Sequence, residues 1–539
     1  MIKSISIITN LVKHNIPFDE NLKHKISINI SAVNLHNINS FNIEIVFLES
    51  IFQFRNHDYN WVDCSENRIA NEFCPKIIKL QNGQMVQANI NKGIWEINKK
   101  NPNILLWRFN PEFSEPITNY LGVINAKNIA SSKKKFHFLE TLSLLFPENA
   151  AIEFSRSKYP FTAISCFTDH CDFDTPDNLS IQRDFFKSVN VKITKGFFLN
   201  HFSKRNDNAS FENNASELIK WKEDGHELCY HSLSQSIKSK TDSFSDFSNF
   251  VPPFPNIKIW IDHGYQPYNF SLYQQNKIIG KEYELNLTDK NINILWNYID
   301  SGTATSGVIN QLDKKQFTLL SFLKGNNNLS LIKKSQLMIK NIIFHYYNEE
   351  GLILKYKRTA ANFKKLIYQK KINSFLPLIK DLSGLFCAML VVFVSWKTKK
   401  NKPYKLAKYT PILFKHQIFE KEFYIFQTLE MLDFKKALDE KNIDILIRQK
   451  GVFIAHTYFS VPMDYHTGKL FSDSINIDPV VADNFKVLGD KIKNNEIWNP
   501  TLSELVDYWS DFENIVLNID ANGVLFVENN SDVIFRDVI

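Results

Sequence analysis

Early in the chain, hydrophobic and polar side chains alternate with a period of two. The alternation is clear in the runs that begin at Ile26, Ile43 and Ile104, and turn-forming pairs such as Asn82-Gly83 separate runs of this kind. Because successive side chains of a strand point to opposite faces of a sheet, this pattern predicts half-buried strands joined by short turns. We therefore expect an antiparallel β domain over residues 1–145, and nothing in it indicates catalysis.

The pattern then changes to apolar runs that alternate with segments of helical periodicity. The predicted elements are a helix over Phe138–Phe146, a strand over Phe161–Phe167, a helix over Leu179–Ser188, a strand over Val191–Leu199 and a helix over Ala215–Asp224. Strands that alternate with helices predict parallel βα units, and ligands bind such units at the carboxyl ends of the strands. We expect an α/β unit over residues 146–290, and its return over residues 441–539.

Between these two parts, residues 291–440 are predicted to be a mostly helical insertion. Leu382 to Trp396 is a run of fifteen residues without a charge, and lysines follow it: Lys397, Lys399, Lys400 and Lys402, with Lys405 and Lys408 close behind. Spanning a bilayer takes about twenty apolar residues. Three interpretations stay open, namely a buried core helix, a helix on an anionic membrane surface that depends on Lys399 and Lys400, and a true span.

Composition narrows the class of protein. The 539 residues are 44% hydrophobic and 22% charged, which is typical of a globular chain of two to four domains. The net charge of +7 is small, and apart from that lysine cluster the basic residues are not concentrated on one element, so we expect no nucleic-acid partner. Six cysteines lack CxxC spacing and no secretion signal is visible, so we expect a reducing, cytoplasmic setting.

Four residues that can do chemistry follow the strand predicted over Phe161–Phe167: Asp169, His170, Asp172 and Asp174. Carboxylates this close repel one another unless a cation or a proton joins them, and a divalent metal is the ordinary solution. Asp172 and Asp174 are two residues apart and share one face of an extended chain. A polar loop that caps the next helix remains the alternative.

Histidines end three further apolar runs. His231 lies in Gly-His-Glu-Leu-Cys-Tyr-His-Ser, His263 in Trp-Ile-Asp-His-Gly, and His456 in Gly-Val-Phe-Ile-Ala-His, with Tyr458 two residues beyond it. An imidazole at a strand end can bind a metal or donate a proton near neutral pH. For each one, a histidine that only forms a hydrogen bond within the core is the alternative.

This order of motifs resembles the polysaccharide deacetylase (NodB-type) family: an acidic strand end, then Gly-His-Glu-x-x-x-His-Ser, then a late apolar strand ending in histidine. The match covers roughly residues 160–265 and 445–515. The resemblance implies a distorted (β/α) barrel, here with an N-terminal antiparallel β domain and a helical insertion. It also implies a divalent metal, usually zinc.

The resemblance implies a role for each matched residue. Asp172 would be the catalytic base and His456 the catalytic acid, while Asp174 and His231 would bind the metal. The second metal histidine of the family would fall on Gln235, and the usual arginine-containing third motif is replaced by Asp-His-Gly, so His263 is a candidate for the missing ligand. The substrate-binding candidates are Asp169, His170 and Tyr458, and Asp169 or His170 could instead enter the site if the register of the first motif differs.

The expected function is metal-dependent hydrolysis of the N-acyl (acetamide) group of an amino sugar, in a glycan or a lipid-linked glycan precursor. The expected partner is an N-acetylated carbohydrate, with peripheral contact to an anionic membrane at the inner face of the cytoplasmic membrane. Two alternatives stay open. One is a non-catalytic glycan-binding or scaffolding protein that retains the fold, and the other is a deformylase of a lipid-linked sugar.

Overall fold

The structure is a computed structural model of the 539-residue chain. It describes all residues except 11, 20–22, 36–37, 122–125, 137, 139–140, 274–279, 305–308, 328, 400–401, 432, 461–468 and 530–531.

In the described part of the N-terminal domain, two six-stranded antiparallel sheets share one hydrophobic cluster. Their strand orders are β2-β1-β4-β11-β10-β7 and β3-β14-β9-β8-β5-β6, while β12 and β13 form a separate hairpin. The strands are β1 (Ile2–Thr9), β2 (Val12–Ile16), β3 (Lys25–Ile28), β4 (Phe41–Phe47), β5 (Ile51–Arg55), β6 (Trp61–Asp63), β7 (Arg68–Ala70), β8 (Ile77–Leu80), β9 (Met85–Ala88), β10 (Ile94–Ile97), β11 (Ile104–Phe109), β12 (Pro116–Tyr120), β13 (Lys127–Ser131) and β14 (Leu142–Leu145). Strand β4 alternates buried and half-buried side chains, and the antiparallel β domain is confirmed.

The helix predicted over Phe138–Phe146 is wrong, because β14 occupies Leu142–Leu145. All four side chains of β14 are buried, and the strand pairs with both β3 and β9. A strand buried on both faces has a continuous apolar run, which lacks the alternation that distinguishes a strand from a buried helix.

The remaining strands and helices belong mostly to the second part of the chain. The strands are β15 (Ala151–Phe154), β16 (Ala163–Asp169), β17 (Thr194–Phe197), β18 (Glu227–Tyr230), β19 (Ile259–Ile261), β20 (Ile294–Ala304), β21 (Leu413–Ile418), β22 (Lys421–Met431), β23 (Val452–Thr457), β24 (Ile497–Trp498), β25 (Leu517–Ile519), β26 (Leu525–Val527) and β27 (Phe535–Val538). The helices are α1 (Pro176–Ser188), α2 (Phe211–Glu223), α3 (Lys240–Asn249), α4 (Phe270–Tyr273), α5 (Gly280–Thr288), α6 (Leu319–Gly325), α7 (Leu331–Asn341), α8 (Glu350–Ile367), α9 (Phe375–Lys399), α10 (Phe434–Ala437), α11 (Glu440–Arg448), α12 (Pro479–Lys493) and α13 (Leu502–Ser510).

Within the described residues, seven parallel strands close into a barrel in the order β16-β17-β18-β19-β20-β22-β23, and β23 pairs again with β16. Helices cover it, and one hydrophobic cluster joins Phe167 of β16 to Phe186 of α1, Trp221 of α2 and Phe485 of α12. A parallel strand must return through a crossover, which places the helices outside the strands. The chain is therefore a (β/α) barrel preceded by antiparallel sheets.

The helical insertion is shorter than the range 291–440 predicted for it. Strands β20 and β22 both lie inside that range, and both belong to the barrel. The insertion proper contains α6, α7, a π-helical turn (Ile342–Tyr347), α8 and α9. Its position after β20 makes it an enlarged connection between two neighbouring barrel strands.

Candidate active site

Histidine and carboxylate side chains from five barrel strands meet at the carboxyl end of the barrel. His170 follows β16 directly, His231 follows β18, and His263 lies two residues beyond β19. Asp300 lies in the second half of β20, and His456 is the penultimate residue of β23. Because all these strands are parallel, their carboxyl ends open at the same mouth. The structure thus brings together the three strand-end histidines that the sequence predicted.

Four imidazole rings form a continuous row across this mouth. The ring centroids of His263 and His231 are 4.7 Å apart, those of His231 and His170 are 4.4 Å apart, and those of His170 and His456 are 3.9 Å apart with the rings stacked. Burial lowers the pKa of His170 well below its usual value, and it lowers that of His231 as well. Burial would also lower the pKa of His263, but the charge of Asp172 and its hydrogen bond raise it. His170 and His231 are therefore the neutral imidazoles that can offer lone pairs to a cation.

Asp172 is the carboxylate that joins this row. Its Oδ2 lies 2.9 Å from Nε2 of His231, and its Oδ1 lies 3.0 Å from Nδ1 of His263. Burial by itself would raise the pKa of Asp172, but the charges of His263 and His231 and their hydrogen bonds hold it well below the usual value. The carboxylate is therefore ionised, and it faces both imidazoles at once.

A backbone carbonyl orients His263. Its Nε2 donates to the carbonyl oxygen of Gln235 at 2.9 Å, which leaves Nδ1 facing Asp172 and 3.1 Å from Nε2 of His231. A hydrogen bond at one ring nitrogen determines which nitrogen is free to bind a metal. Gln235, where the motif resemblance would place a second metal histidine, thus positions His263 through its main chain.

His456 forms a dyad with an aspartate that sequence analysis missed. Its Nδ1 lies 3.0 Å from Oδ1 of Asp300, and the same oxygen accepts a hydrogen bond from the Thr428 hydroxyl at 2.6 Å. Nε2 of His456 is buried and has no hydrogen-bond partner among the described residues. A carboxylate on one nitrogen and a free second nitrogen is the arrangement of an imidazole that transfers protons.

The two other aspartates of the first motif lie away from the row and share a buried lysine, Lys195 of β17. Its ammonium donates to Asp169, to Asp174 at 2.5 Å and to Gln182 at 3.0 Å. Burial alone would lower the pKa of Lys195, but the negative charges of Asp169 and Asp174 raise it. Asp174 also accepts from the Ser460 hydroxyl at 2.8 Å, so its oxygens are occupied by protein donors.

The remaining predicted residues line the mouth or shape its loops. The ring of Tyr458 lies 4.9 Å from His170 and 5.2 Å from His456, beside the row. Asp262 accepts hydrogen bonds from the backbone N–H groups of Phe270 and Ser271, both at 2.8 Å. It therefore holds the loop that carries His263 and does not face the row.

Two residues of the site, Lys195 and Asp300, carried only a weak signal in the sequence. Asp300 ends the apolar run Ile294–Ile299, much as the histidines end theirs. Lys195 lies in the strand predicted over Val191–Leu199, which also contains Lys192, and a lysine inside a strand is rarely buried without a charged partner. Only the strand order of the barrel identifies Asp169 and Asp174 as those partners.

No family model matches the chain, and no curated protein does. Solved structures with some likeness include a variant of the Flavobacterium johnsoniae GH31 dextranase in complex with isomaltotriose, at 6% identity and a TM-score of 0.20 over 55% of this chain. A xylosidase from Aspergillus niger has 9% identity and a TM-score of 0.19 over 57% of this chain. The matches span 41% and 43% of those proteins' own lengths. At such scores the likeness carries no argument about fold or function.

The buried lysine generates a stability prediction. Lys195→Met leaves Asp169 and Asp174 without their cation, and loss of one partner from a buried ion pair costs about 3–5 kcal/mol. As a control, Lys192→Met removes the exposed ion pair with Glu504, which is worth about 1 kcal/mol or less. Urea unfolding of the two variants measures the difference. Equal losses would show that the buried contact does not stabilise the barrel.

Proposed function

We propose that this protein is a metal-dependent hydrolase that removes the N-acyl group from an amino sugar. The observation that carries the proposal is the convergence of Asp172, His231 and His263 next to the His456–Asp300 dyad. One group of atoms is suited to hold a cation, and the other is suited to transfer a proton. Hydrolysis of an amide requires both functions.

The three converging side chains fit a divalent metal. Their facing atoms lie 2.9–3.1 Å apart, and they comprise one ionised carboxylate and two imidazole nitrogens. Catalytic zinc sites commonly use three protein ligands of this kind and keep a further position open. The oxygen and nitrogen atoms of His170, Asp172 and His231 also lie within 4.8 Å of one another, so His170 borders the same space.

The geometry favours a ligand set that differs from the sequence-based one. Asp172, expected as the base, lies between the two histidines, whereas Asp174, expected as a ligand, is held by Lys195. His263 is well placed to act in place of the histidine that Gln235 replaces. We therefore propose Asp172, His231 and His263 as the ligands.

The reaction divides between the metal and the dyad. A divalent ion, when bound, supplies a Lewis acid for the acyl carbonyl and lowers the pKa of a coordinated water towards about 7. His456 lies beyond His170 and donates its proton to the departing amine, since its Nε2 has no hydrogen-bond partner among the described residues. Asp300 holds Nδ1 of the ring, so it fixes the orientation of the imidazole.

The proposal that the substrate is a sugar rests on the motif resemblance. A barrel with aspartate and histidine at the ends of its strands is compatible with the polysaccharide deacetylase family. Gly-His-Glu-x-x-x-His-Ser and the late histidine strand remain the motifs that suggest an N-acetylated carbohydrate as substrate. The acetamide of an amino sugar is the bond that we propose is cleaved.

The first functional prediction concerns the metal. Protein purified without a chelator should contain about one equivalent of a divalent metal, and Asp172→Ala, His231→Ala and His263→Ala should each lose it, because each removes one of three ligands. Asp174→Asn is the matched control and should retain the metal. Elemental analysis makes the measurement. Loss of metal in Asp174→Asn together with full occupancy in Asp172→Ala would restore the sequence-based ligand set.

The second functional prediction concerns proton transfer. His456→Ala should lower kcat for acetate release from N-acetylated sugars by about 100- to 10,000-fold while the metal stays bound. Asp300→Asn should lower kcat by a smaller factor, and His14→Gln, on the exposed strand β2, should have no effect. Product analysis by NMR distinguishes acetate from formate. Near-native turnover by His456→Ala would remove this residue from the mechanism.

A further inference from the structure

Helix α9 has one face buried against protein and one apolar face exposed. The buried positions include Leu378, Leu385, Ala388 and Val392. The exposed apolar side chains are Phe375 (49% exposed), Leu376 (77%), Ile379 (48%), Leu382 (39%), Phe386 (57%), Leu390 (47%) and Val391 (59%). At 1.5 Å per residue this face is about 25 Å long. A contiguous apolar surface of this extent marks a site of interaction.

The same surface continues across the turn that joins α8 to α9. Ile367 is 54% exposed, Tyr368 is 78% exposed and Ile372 is 82% exposed. Among the residues that the structure describes, none covers these large apolar side chains at the tip of the helical hairpin. We call this surface, from Ile367 to Val391, the apolar hairpin face.

The hairpin also carries the net charge of the protein. Residues 351–395 contain seven lysines and one arginine against a single acidic residue, Asp381, a formal charge of +7. The whole chain has the same formal charge of +7, so the other residues together are neutral. Four exposed lysines, Lys364, Lys365, Lys370 and Lys371, flank the tip and form no ion pair with any described residue.

Exposed apolar side chains surrounded by lysines match the surface of an anionic bilayer. The apolar side chains can enter the interface between headgroups and acyl chains, while each lysine is attracted to anionic headgroups. We propose that the apolar hairpin face docks the protein on an anionic membrane surface.

Docking at the surface fits better than a span. By length and composition alone, Ile372–Ser395 could cross a membrane, and 28% of its apolar 18-residue window is buried in protein. However, α9 packs along α8, and Asp381 of α9 accepts from Arg358 of α8 at 3.2 Å. If α9 spanned the membrane, the Asp381 carboxylate would lie in hydrocarbon without its partner, or the lysines of α8 would have to enter the hydrocarbon together with Arg358.

The hairpin emerges on the catalytic side of the barrel. It follows β20, the strand that supplies Asp300, and α8 packs against β13. Lys127 of β13 in turn lies over the ring of Tyr298, close to the mouth. If the proposed function holds, docking brings the mouth to the bilayer, where a lipid-linked N-acyl sugar would be found. The docking proposal itself does not depend on that function.

Sequence analysis tied membrane contact to Lys399 and Lys400. Lys400 lies outside the described residues, and the side chains of Lys397 and Lys399 lie outside them as well. The tip lysines Lys370 and Lys371 take their place in the experiment.

Vesicle flotation tests the docking surface with the full-length protein. At low salt, wild-type protein should float with phosphatidylcholine vesicles that contain about 30% phosphatidylglycerol, because these vesicles have a negative surface potential. Much less protein should float with pure phosphatidylcholine vesicles, or with the anionic vesicles at about 0.5 M NaCl. Lys370→Gln with Lys371→Gln should weaken binding about 30-fold, from about 1 kcal/mol per lysine. The matched control, Lys99→Gln with Lys100→Gln, changes two exposed lysines of the β domain and should bind as wild type does.

A second pair of variants tests the apolar contribution. Ile372→Ser with Leu376→Ser should weaken vesicle binding at least tenfold, because two large side chains no longer enter the bilayer. Leu48→Ser with Phe52→Ser changes two side chains of similar exposure, 66% and 54%, on the β domain and should have no effect. Thermal unfolding should be nearly unchanged in all four variants, since every substituted side chain is exposed.

Three results would overturn the proposal. Wild-type protein that stays at the bottom of the gradient with anionic vesicles would show that the face does not bind lipid. A dimer in lipid-free solution that Ile372→Ser with Leu376→Ser dissociates would show that a second copy covers the face. Protein that resists carbonate extraction from membranes would be a span. Each result is independent of acetate release, so docking and the proposed reaction fail separately.

Discussion

The buried positive charge of Lys195 determines how the loop with His170 and Asp172 is held at the mouth of the barrel. Its ammonium is fully buried, and it is stabilised only because Asp169 and Asp174 lie against it. Asp169 ends β16, and Asp174 directly precedes the cap of α1, so one lysine of the neighbouring strand anchors both ends of a short loop. That loop carries His170 and Asp172. A buried cation that must keep two partners therefore holds the site in place.

Because Lys195 pairs with two residues of the motif, the four polar residues Asp169, His170, Asp172 and Asp174 have different roles. The two aspartates that neutralise Lys195 cannot also serve a metal without leaving a buried charge unpaired. Asp172 instead lies against His231, and His170 stacks on His456 as part of the histidine row. Burial lowers the pKa of His170 and His231, so the ionised carboxylate of Asp172 beside them is the negative charge that attracts a cation.

The long connection after β20 places two different surfaces on one element of the chain. On the barrel side it follows the strand that orients His456, and on the far side it exposes aliphatic and lysine side chains. If the proposed function and the proposed docking both hold, the enzyme would meet a lipid-linked substrate at the membrane surface. Docking would then reduce the search to two dimensions, and binding to the bilayer would contribute where a small sugar offers few contacts.

The sequence alone determined the local features of this protein. Period-two alternation was enough for the antiparallel domain, and apolar runs ending in His231, His263 and His456 were enough to locate three residues of the mouth. The mainly apolar run that forms β14 was ambiguous, because a fully buried strand has no periodicity to distinguish it from a helix. Only the closed barrel decided that Lys195 pairs with Asp169 and Asp174, that Asp172 faces the histidines, and that Asp300 holds His456. These are contacts between strands far apart in the chain, and local pattern carries no information about which strand ends will meet.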